Sequence, residues 1–485
     1  MQIPRLATLA RDDTGPATLA RDGSTPFLIP IPAFPHPHTS LLRALFFRTL
    51  LLLALLALLA PFSGAAASPP AFFHATLLSS EPAAKATLTA SPTRIRLVFS
   101  EEIEASLGRI RLVAPDGRIV TLASAGDPHD VSALIAPITS PLGPGVYRVE
   151  WRIVSEDGHP IDGTYRFTVA TAGDTTHAPV SAQPSAPPAA PEPETAPADS
   201  AAVGTTVAEF PALTATLSGF AIGALTAFAG LLGFLTTRRT PAPQPRAARL
   251  VRRLALATAI IVPLHLVAWA LALAPDHSLD GDAIAALFAS GPGKVELART
   301  VLSVLAAWAL LLVRRERLAL FIAIAAILAG SATGHSAAIH PEWGIPSRAL
   351  HLFAVAAWLG GLLWLVTLDR SDAHAAIGEA YRTSSVALAA VIVVIFSGVV
   401  QTRLFLPVWG DLIHSQYGLI VLAKVAGVAV LVLFGAYHRF RVLPRLTEAA
   451  VAEGFPVSLR REIAVMSLLV LLGALLAHLS PPTHH

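Results

Sequence analysis

From residue 211 onward the chain is written in apolar runs of roughly twenty residues, the length needed to cross a hydrocarbon core about 30 Å thick. Short arginine-bearing segments separate them. The pattern predicts eight spans: Pro211 to Thr236, Val251 to Pro275, Leu297 to Val313, Leu318 to Gly334, Ala349 to Leu368, Ser384 to Leu404, Tyr417 to Tyr437 and Glu462 to Leu479. Residues 74–170 follow a different rule. Arg94 to Phe99, Arg109 to Ala114, Tyr147 to Val154 and Thr164 to Val169 alternate apolar and polar positions, and turn sequences such as Pro115-Asp116-Gly117 divide them. That pattern predicts a small antiparallel β-sandwich.

The remaining segments organise these two parts. Residues 1–40 repeat Ala7 to Asp12 at Ala17 to Asp22, then turn proline-rich, and no fold is predicted there. Residues 41–67 place Arg43 and Arg48 before the apolar run Leu50 to Ala60 and end in Ala65-Ala66-Ala67, the order of a secretory signal. A start upstream of Leu41 is therefore unusual for an exported chain. Residues 171–208, rich in Ala, Pro and Thr, read as an extended tether between the sandwich and the membrane domain, residues 209–480. The predicted fold class is mixed, a β-sandwich followed by an all-α polytopic bundle of about eight helices.

Composition sharpens this reading. With 54% hydrophobic and 14% charged residues, most of the chain belongs in lipid. The +3 formal charge does not indicate nucleic acid, because the arginines lie between apolar runs rather than on one face. They are concentrated on alternate loops. Arg238, Arg239, Arg246 and Arg249 lie on one side, with Arg314, Arg315, Arg439 and Arg441, whereas the other side holds only Lys294, Arg348 and Arg403. The basic loops are expected to be cytoplasmic, leaving the sandwich and the C-terminal tail outside.

There is no cysteine, and Met1 and Met466 are the only methionines. A metal site here has imidazole, carboxylate or amine donors, which suit Cu(II), Zn(II) or Ni(II). With the topology assigned, His265, His335, His351 and His478 fall at the outer ends of four spans, one level on four helices. Ionisable groups in a span are costly and mark ligand or ion paths. Outer loops add His277, His340 and His414, and the tail ends in His484-His485. Lys424, two turns into the seventh span, can snorkel outward, hold a carboxylate or repel cations at a gate. In the sandwich, Asp157 and His159 flank Gly158 just after a strand, so their side chains fall on one side of a tight turn.

Several strings resemble the periplasmic copper-binding family CopC: His74-Ala75-Thr76-Leu77, Ser79-Ser80-Glu81-Pro82, Leu97 to Glu101, Tyr147 to Pro160 and Gly163 to Phe167. The spans resemble its membrane partner CopD, above all His351 to Gly361 with Trp358-Leu359-Gly360-Gly361, and Tyr417 to Lys424. The resemblance implies a CopC/CopD fusion with an immunoglobulin-like sandwich. It also implies a Cu(II) site built from an N-terminal His74 with Asp157 and His159, and Glu101 near it. The family's methionine-rich Cu(I) segment corresponds to Ala114 to Ser132, which has no methionine and only His129 as a donor. Cleavage after Ala67 would release Ser68 and leave His74 internal. Cleavage after Ala71 would expose Phe72-Phe73-His74, an amine-terminal tripeptide able to wrap Cu(II) in a square-planar nitrogen set.

The expected function is extracytoplasmic Cu(II) capture coupled to copper transport, import favoured, or to copper homeostasis and resistance at the inner membrane. No enzymatic activity is expected, and no nucleotide-binding signature appears. Expected partners are copper, the lipid bilayer and periplasmic copper chaperones or reductases. A haem-binding electron-transfer or metalloreductase bundle, with His265 and His351 as axial ligands, is the alternative.

Overall fold

The β-rich strings do pair into two sheets, and the apolar runs do form helices. In the computed structural model the described residues are 75–170 and 209–482, apart from 156, 157, 159, 242, 275–277, 335, 336, 338–340, 407, 480 and 481. The N-terminal extension, signal and tether, and His74, Asp157, His159, His277, His335, His340, His484 and His485, lie outside the described residues.

Among the described residues nine strands make the sandwich: β1 (Leu77–Glu81), β2 (Thr87–Leu88), β3 (Arg94–Phe99), β4 (Arg109–Val113), β5 (Ile119–Leu122), β6 (Ala125–Asp127), β7 (Asp130–Pro137), β8 (Gly145–Val154) and β9 (Pro160–Val169). One sheet has the order β1-β3-β7-β6 and the other β2-β9-β8-β4-β5. All pairings are antiparallel except β2 with β9. The alternation seen in the sequence becomes the inward faces: Ile95, Leu97 and Phe99 of β3 are buried against Tyr147, Val149, Trp151 and Ile153 of β8. Phe99 meets Trp151 edge to face at 5.1 Å, and Tyr147 stacks on Phe167 at 5.6 Å. Trp151 lies over Gly163, its cross-strand partner, where an added Cβ would sit 2.1 Å from the indole. A side chain at residue 163 would displace that indole from the core.

On the sandwich rim Arg96 donates to Asp127 at 3.0 Å and to Asp130 at 2.8 Å. The His129 amide, then the Arg96 guanidinium, hold Asp127 below the usual carboxylate range. The hydroxyl and amide of Ser132, then Arg96, do the same for Asp130. Carboxylates lowered in the folded state contribute stability above their unfolded pKa of about 3.9 and lose it as pH falls through the lowered value. The protection of β3 and β7 amides, measured as exchange relative to the intrinsic rate at each pH, is therefore expected to fall below about pH 4 in the wild type. The loss of protection should be smaller in Arg96→Ala, and an equal loss in both would refute this role for the ion pair.

Ten helices lie among the described residues: α1 (Glu209–Thr236), α2 (Pro245–Leu273), α3 (Gly281–Ala289), α4 (Gly291–Leu311), α5 (Glu316–Ser331), α6 (Pro341–Thr367), α7 (Ala373–Phe405), α8 (Asp411–His414), α9 (Gln416–Tyr437) and α10 (Ala449–Leu476). Each of the eight spans read from the sequence falls on one of these helices, and α3 and α8 are short additions. By length and composition five qualify as membrane-crossing: Ala212–Thr236, Pro245–Leu273, Pro341–Thr367, Ala373–Phe405 and Gln416–Arg445. The other three have visible reasons. Helix α4 carries Lys294, Glu296 and Arg299, α5 has 16 residues, and α10 carries Arg460, Arg461 and Glu462.

Helix α1 is the hub. It packs on α2, α6, α10 and α5, and 67% of its most apolar stretch is buried, against 11% for α9. Gly230 of α1 and Gly360 of α6 let these helices touch backbone to backbone. A Cβ on Gly360 would lie 2.2 Å from the Gly230 carbonyl carbon, and one on Gly230 would lie 1.9 Å from the Ala356 oxygen. Gly360→Ala must push the hub apart and is expected to cost at least about 2 kcal/mol. Gly435→Ala, which meets nothing within 4 Å, should be neutral or stabilising by up to about 1 kcal/mol. Thermal unfolding in detergent checks this, and equal midpoints for the two variants would refute the close crossing.

Candidate functional site

The sandwich rests on one end of the bundle. Arg152 Nη2 donates to the Ala272 carbonyl at 2.9 Å, and Glu104 Oε1 accepts from the Gly291 amide at 3.1 Å, at the first turn of α4. The carboxylate there faces the positive end of the helix dipole. Between these contacts Leu107 and Val154 of the sandwich bury themselves with Ala270, Leu273 and Leu287. Gly158, in a turn closed by its amide on the Ser155 carbonyl, sits against Pro292, and its φ of 85° suits glycine. In the sequence Gly158 stands between Asp157 and His159. The segment around Glu101 reaches its root, because Ile103 bridges to Ser155.

Beneath this junction lies a cavity of about 420 Å³. Arg152, Gly158, Pro160 and Asp162 of the sandwich form part of its wall. The bundle contributes His265 from α2, Glu296 and Arg299 from α4, Arg348 and His351 from α6, and Tyr417 and Lys424 from α9. His478, just beyond α10, also lines it, and Trp358 and Met466 face it from deeper in the bundle. Three of the four histidines read as one level therefore open onto one space, and the fourth, His335, lies outside the described residues. They do not close on a single point. Among the described residues no three His, Asp or Glu side chains stand together as a ready-made metal cluster.

The hydrogen bonds sort these histidines chemically. A guanidinium has only donors, so Arg299 Nη2, 2.7 Å from His265 Nδ1, makes that nitrogen an acceptor and puts the ring proton on Nε2. Arg299 also grips Glu296 Oε2 at 2.7 Å, and that carboxylate stands 3.8 Å from His265. All three are buried. A metal on His265 must first break the arginine contact. His351 is arranged the opposite way. The Ser397 hydroxyl gives its one proton to the Val393 carbonyl at 2.6 Å, so its oxygen accepts from His351 Nδ1 at 3.0 Å. The His351 lone pair then resides on Nε2, in the tautomer that metal ligation requires, with the ring held by its other nitrogen. His478 Nδ1 donates to the Ala474 carbonyl at 2.9 Å, which places its lone pair on Nε2 too.

Packing supports the charged groups. Arg299 crosses Gly330, where a Cβ would lie 2.8 Å from its Cδ, and Arg348 donates to the Thr333 carbonyl beside Gly334. Gly330 thus makes room for the Arg299 side chain, and Gly334 lies against the Arg348 guanidinium. Lys424 Nζ lies against Gly473 of α10. Below the cavity Trp358 Nε1 donates to Glu462 Oε1 at 3.2 Å, Glu462 Oε2 pairs with His438 Nδ1 at 3.0 Å, and His438 Nε2 meets Ser458 Oγ at 2.7 Å.

Sequence reasoning singled out His265, His351, His478, Lys424 and Trp358, and passed over Glu296, Arg299, Glu462 and His438. An arginine inside a predicted span was the available signal for Arg299. Glu296 falls one residue before the span predicted from Leu297 to Val313. The outer-loop His414 ends α8 and does not line the cavity.

Comparison with known proteins follows the same division. Residues 77–170 match the CopC domain and residues 375–476 match Copper resistance protein D. Copper transport protein CutJ of Bacillus subtilis (strain 168) is 26% identical over 435 residues, covering 85% of this chain and 75% of that protein. Copper resistance protein C of Xanthomonas campestris pv. juglandis is 36% identical over 111 residues, covering 21% of this chain and 85% of that protein. The crystal structure of CopC from Methylosinus trichosporium OB3b is 31% identical, covering 20% of this chain and 94% of that one, with a TM-score of 0.19. With its two matched regions carried on one membrane-embedded polypeptide, this chain belongs to the CopC and CopD copper-resistance family as a fusion of the two.

Proposed function

We propose that the protein captures Cu(II) on the extracytoplasmic side of the inner membrane and passes copper through the bundle, in the direction of import. The capture site is the Asp157 and His159 turn with His74, and Glu101 beside it. The receiving site is the cavity, with His351 as its principal ligand, His478 and His335 as further donors, and His265 engaged once Arg299 lets go. One observation carries this reading: an imidazole whose Nδ1 is held by Ser397 presents its Nε2 lone pair in a cavity whose wall also includes Gly158 of the sandwich. The arginine-rich loops, at the end of the bundle away from the sandwich, support the outward placement of the sandwich. The names of the relatives, copper transport and copper resistance, support copper as cargo. The role is binding and transport rather than catalysis, with periplasmic chaperones or reductases as suppliers.

Cellular copper content tests it. Cells carrying the protein should hold more copper than cells lacking it, and His351→Ala should return the content to that of the deletion. Higher copper in the deletion would mean efflux or sequestration, and equal copper in all three strains would remove the transport reading.

A further inference from the structure

The charges on the cavity wall do not suit a bare cation. Four cationic side chains line it among the described residues, Arg152, Arg299, Arg348 and Lys424, against two carboxylates, Asp162 and Glu296. Each carboxylate stands beside an arginine: the mostly exposed Asp162 is 3.6 Å from Arg152, and the buried Glu296 is 2.7 Å from Arg299. Arg348 gives a hydrogen to the Thr333 carbonyl, which carries no charge to offset its own. Lys424 has an uncharged neighbour, Gly473. Glu296 also acts on Arg348, but it is shared with Arg299, so the described side chains leave the cavity wall with more positive than negative charge. An uncompensated charge in a low-dielectric cavity is costly, and an occupant of opposite sign repays that cost. The volume agrees: about 420 Å³ is more than ten times the roughly 30 Å³ share of one water molecule, far more than a single desolvated ion fills.

Resting on the copper reading above, we infer that the cavity accepts copper as a small anionic chelate, a metal carrying a polycarboxylate whose free oxygens lie against Arg348 and Lys424 while His351 Nε2 takes an open coordination position. Asp162 and Glu296, paired to arginines, leave the carboxylate role to the incoming chelator. The wall then selects by the sign of the complex, and the sandwich above it need not strip the metal bare before transfer. Lys424, which as a gate would repel free cations, becomes a receptor for the chelate.

Three copper complexes of similar size, each with positions open to an imidazole, separate the possibilities: Cu(II) nitrilotriacetate (charge −1), Cu(II) iminodiacetate (charge 0) and Cu(II) diethylenetriamine (charge +2). Binding to the full chain in nanodiscs is followed by the copper visible band and by equilibrium dialysis. The wild type should prefer the anionic complex to the cationic one by at least tenfold, with the neutral complex between. Lys424→Gln and Arg348→Gln should each reduce that preference severalfold, while Lys424→Arg, which keeps the charge, should retain it. Equal or better binding of the cationic complex, with His351→Ala still abolishing it, would overturn the anionic-chelate inference and leave the copper reading intact. Metal-free nitrilotriacetate binding as tightly as its copper complex would overturn both, because the cavity would then be an anion site indifferent to copper.

Discussion

His351→Ala is expected to remove one copper from the stoichiometry of the full chain and to lower the affinity of the cavity by at least about 100-fold, more than the loss typical of a group that only orients a ligand. Ser397→Ala, which leaves the ligand but frees its ring, should cost about 10–100-fold. His265→Gln should cost less than Ser397→Ala, because the amide oxygen of glutamine can still accept from Arg299. The order of the three variants follows from where the protons are. His351 Nδ1 donates to Ser397 Oγ and keeps its lone pair for a metal, whereas His265 spends Nδ1 on Arg299. Titration of the full chain with copper against a chromophoric competitor reads all three. If His265→Gln proved more damaging than His351→Ala, the assignment of ligand and arginine acceptor would have to be exchanged.

Glu462→Leu is expected to be the most destabilising single change in the lower half of the bundle, by at least about 1–3 kcal/mol, because it removes the buried acceptor of Trp358 Nε1 and the polar partner of His438. Glu462 is 2% exposed and His438 6%. The carboxylate accepts from Trp358 at 3.2 Å with one oxygen and faces His438 at 3.0 Å with the other. Leucine would leave Trp358 Nε1 buried without its acceptor, at a cost of about 1–3 kcal/mol, and would set an apolar side chain against the His438 ring nitrogen. Glu462→Gln should lose less. Its oxygen still accepts from Trp358, and His438 can shift its proton to Nε2 and donate to Ser458. Because Trp358 also lines the cavity, the leucine variant should widen the lower wall and weaken copper binding as well as stability. Thermal unfolding in detergent gives the ranking, and a leucine variant as stable as the glutamine variant would show that the network contributes little.

Much of this arrangement was readable in the sequence because lipid imposes length and sidedness. Once spans of fixed length are placed and the arginine loops turned inward, the depth of each histidine follows, and His265, His351 and His478 do share one space. The sandwich was readable for a similar reason: the period of two in Arg94 to Phe99 and Tyr147 to Val154 becomes the two facing sheets. What stayed hidden was pairing across sequence. Arg299 and His265 are 34 residues apart and Trp358 and Glu462 are 104 apart, and no local pattern connects them. The proton positions that distinguish His351 from His265 depend on those partners and could not be read earlier. Gly360 stands beside Gly361 in the sequence, but its packing partner Gly230 lies on another helix and leaves no mark near it. Helix α3 was passed over although Asp280 caps it, its side chain accepting from the Ala283 amide at 2.8 Å.

Copper uptake into proteoliposomes holding the purified full chain, oriented with the sandwich outside and followed with a radioactive copper tracer, tests the route most directly. The expected result is protein-dependent entry that His351→Ala abolishes while copper still binds at the sandwich. Entry at the wild-type rate in His351→Ala would contradict it.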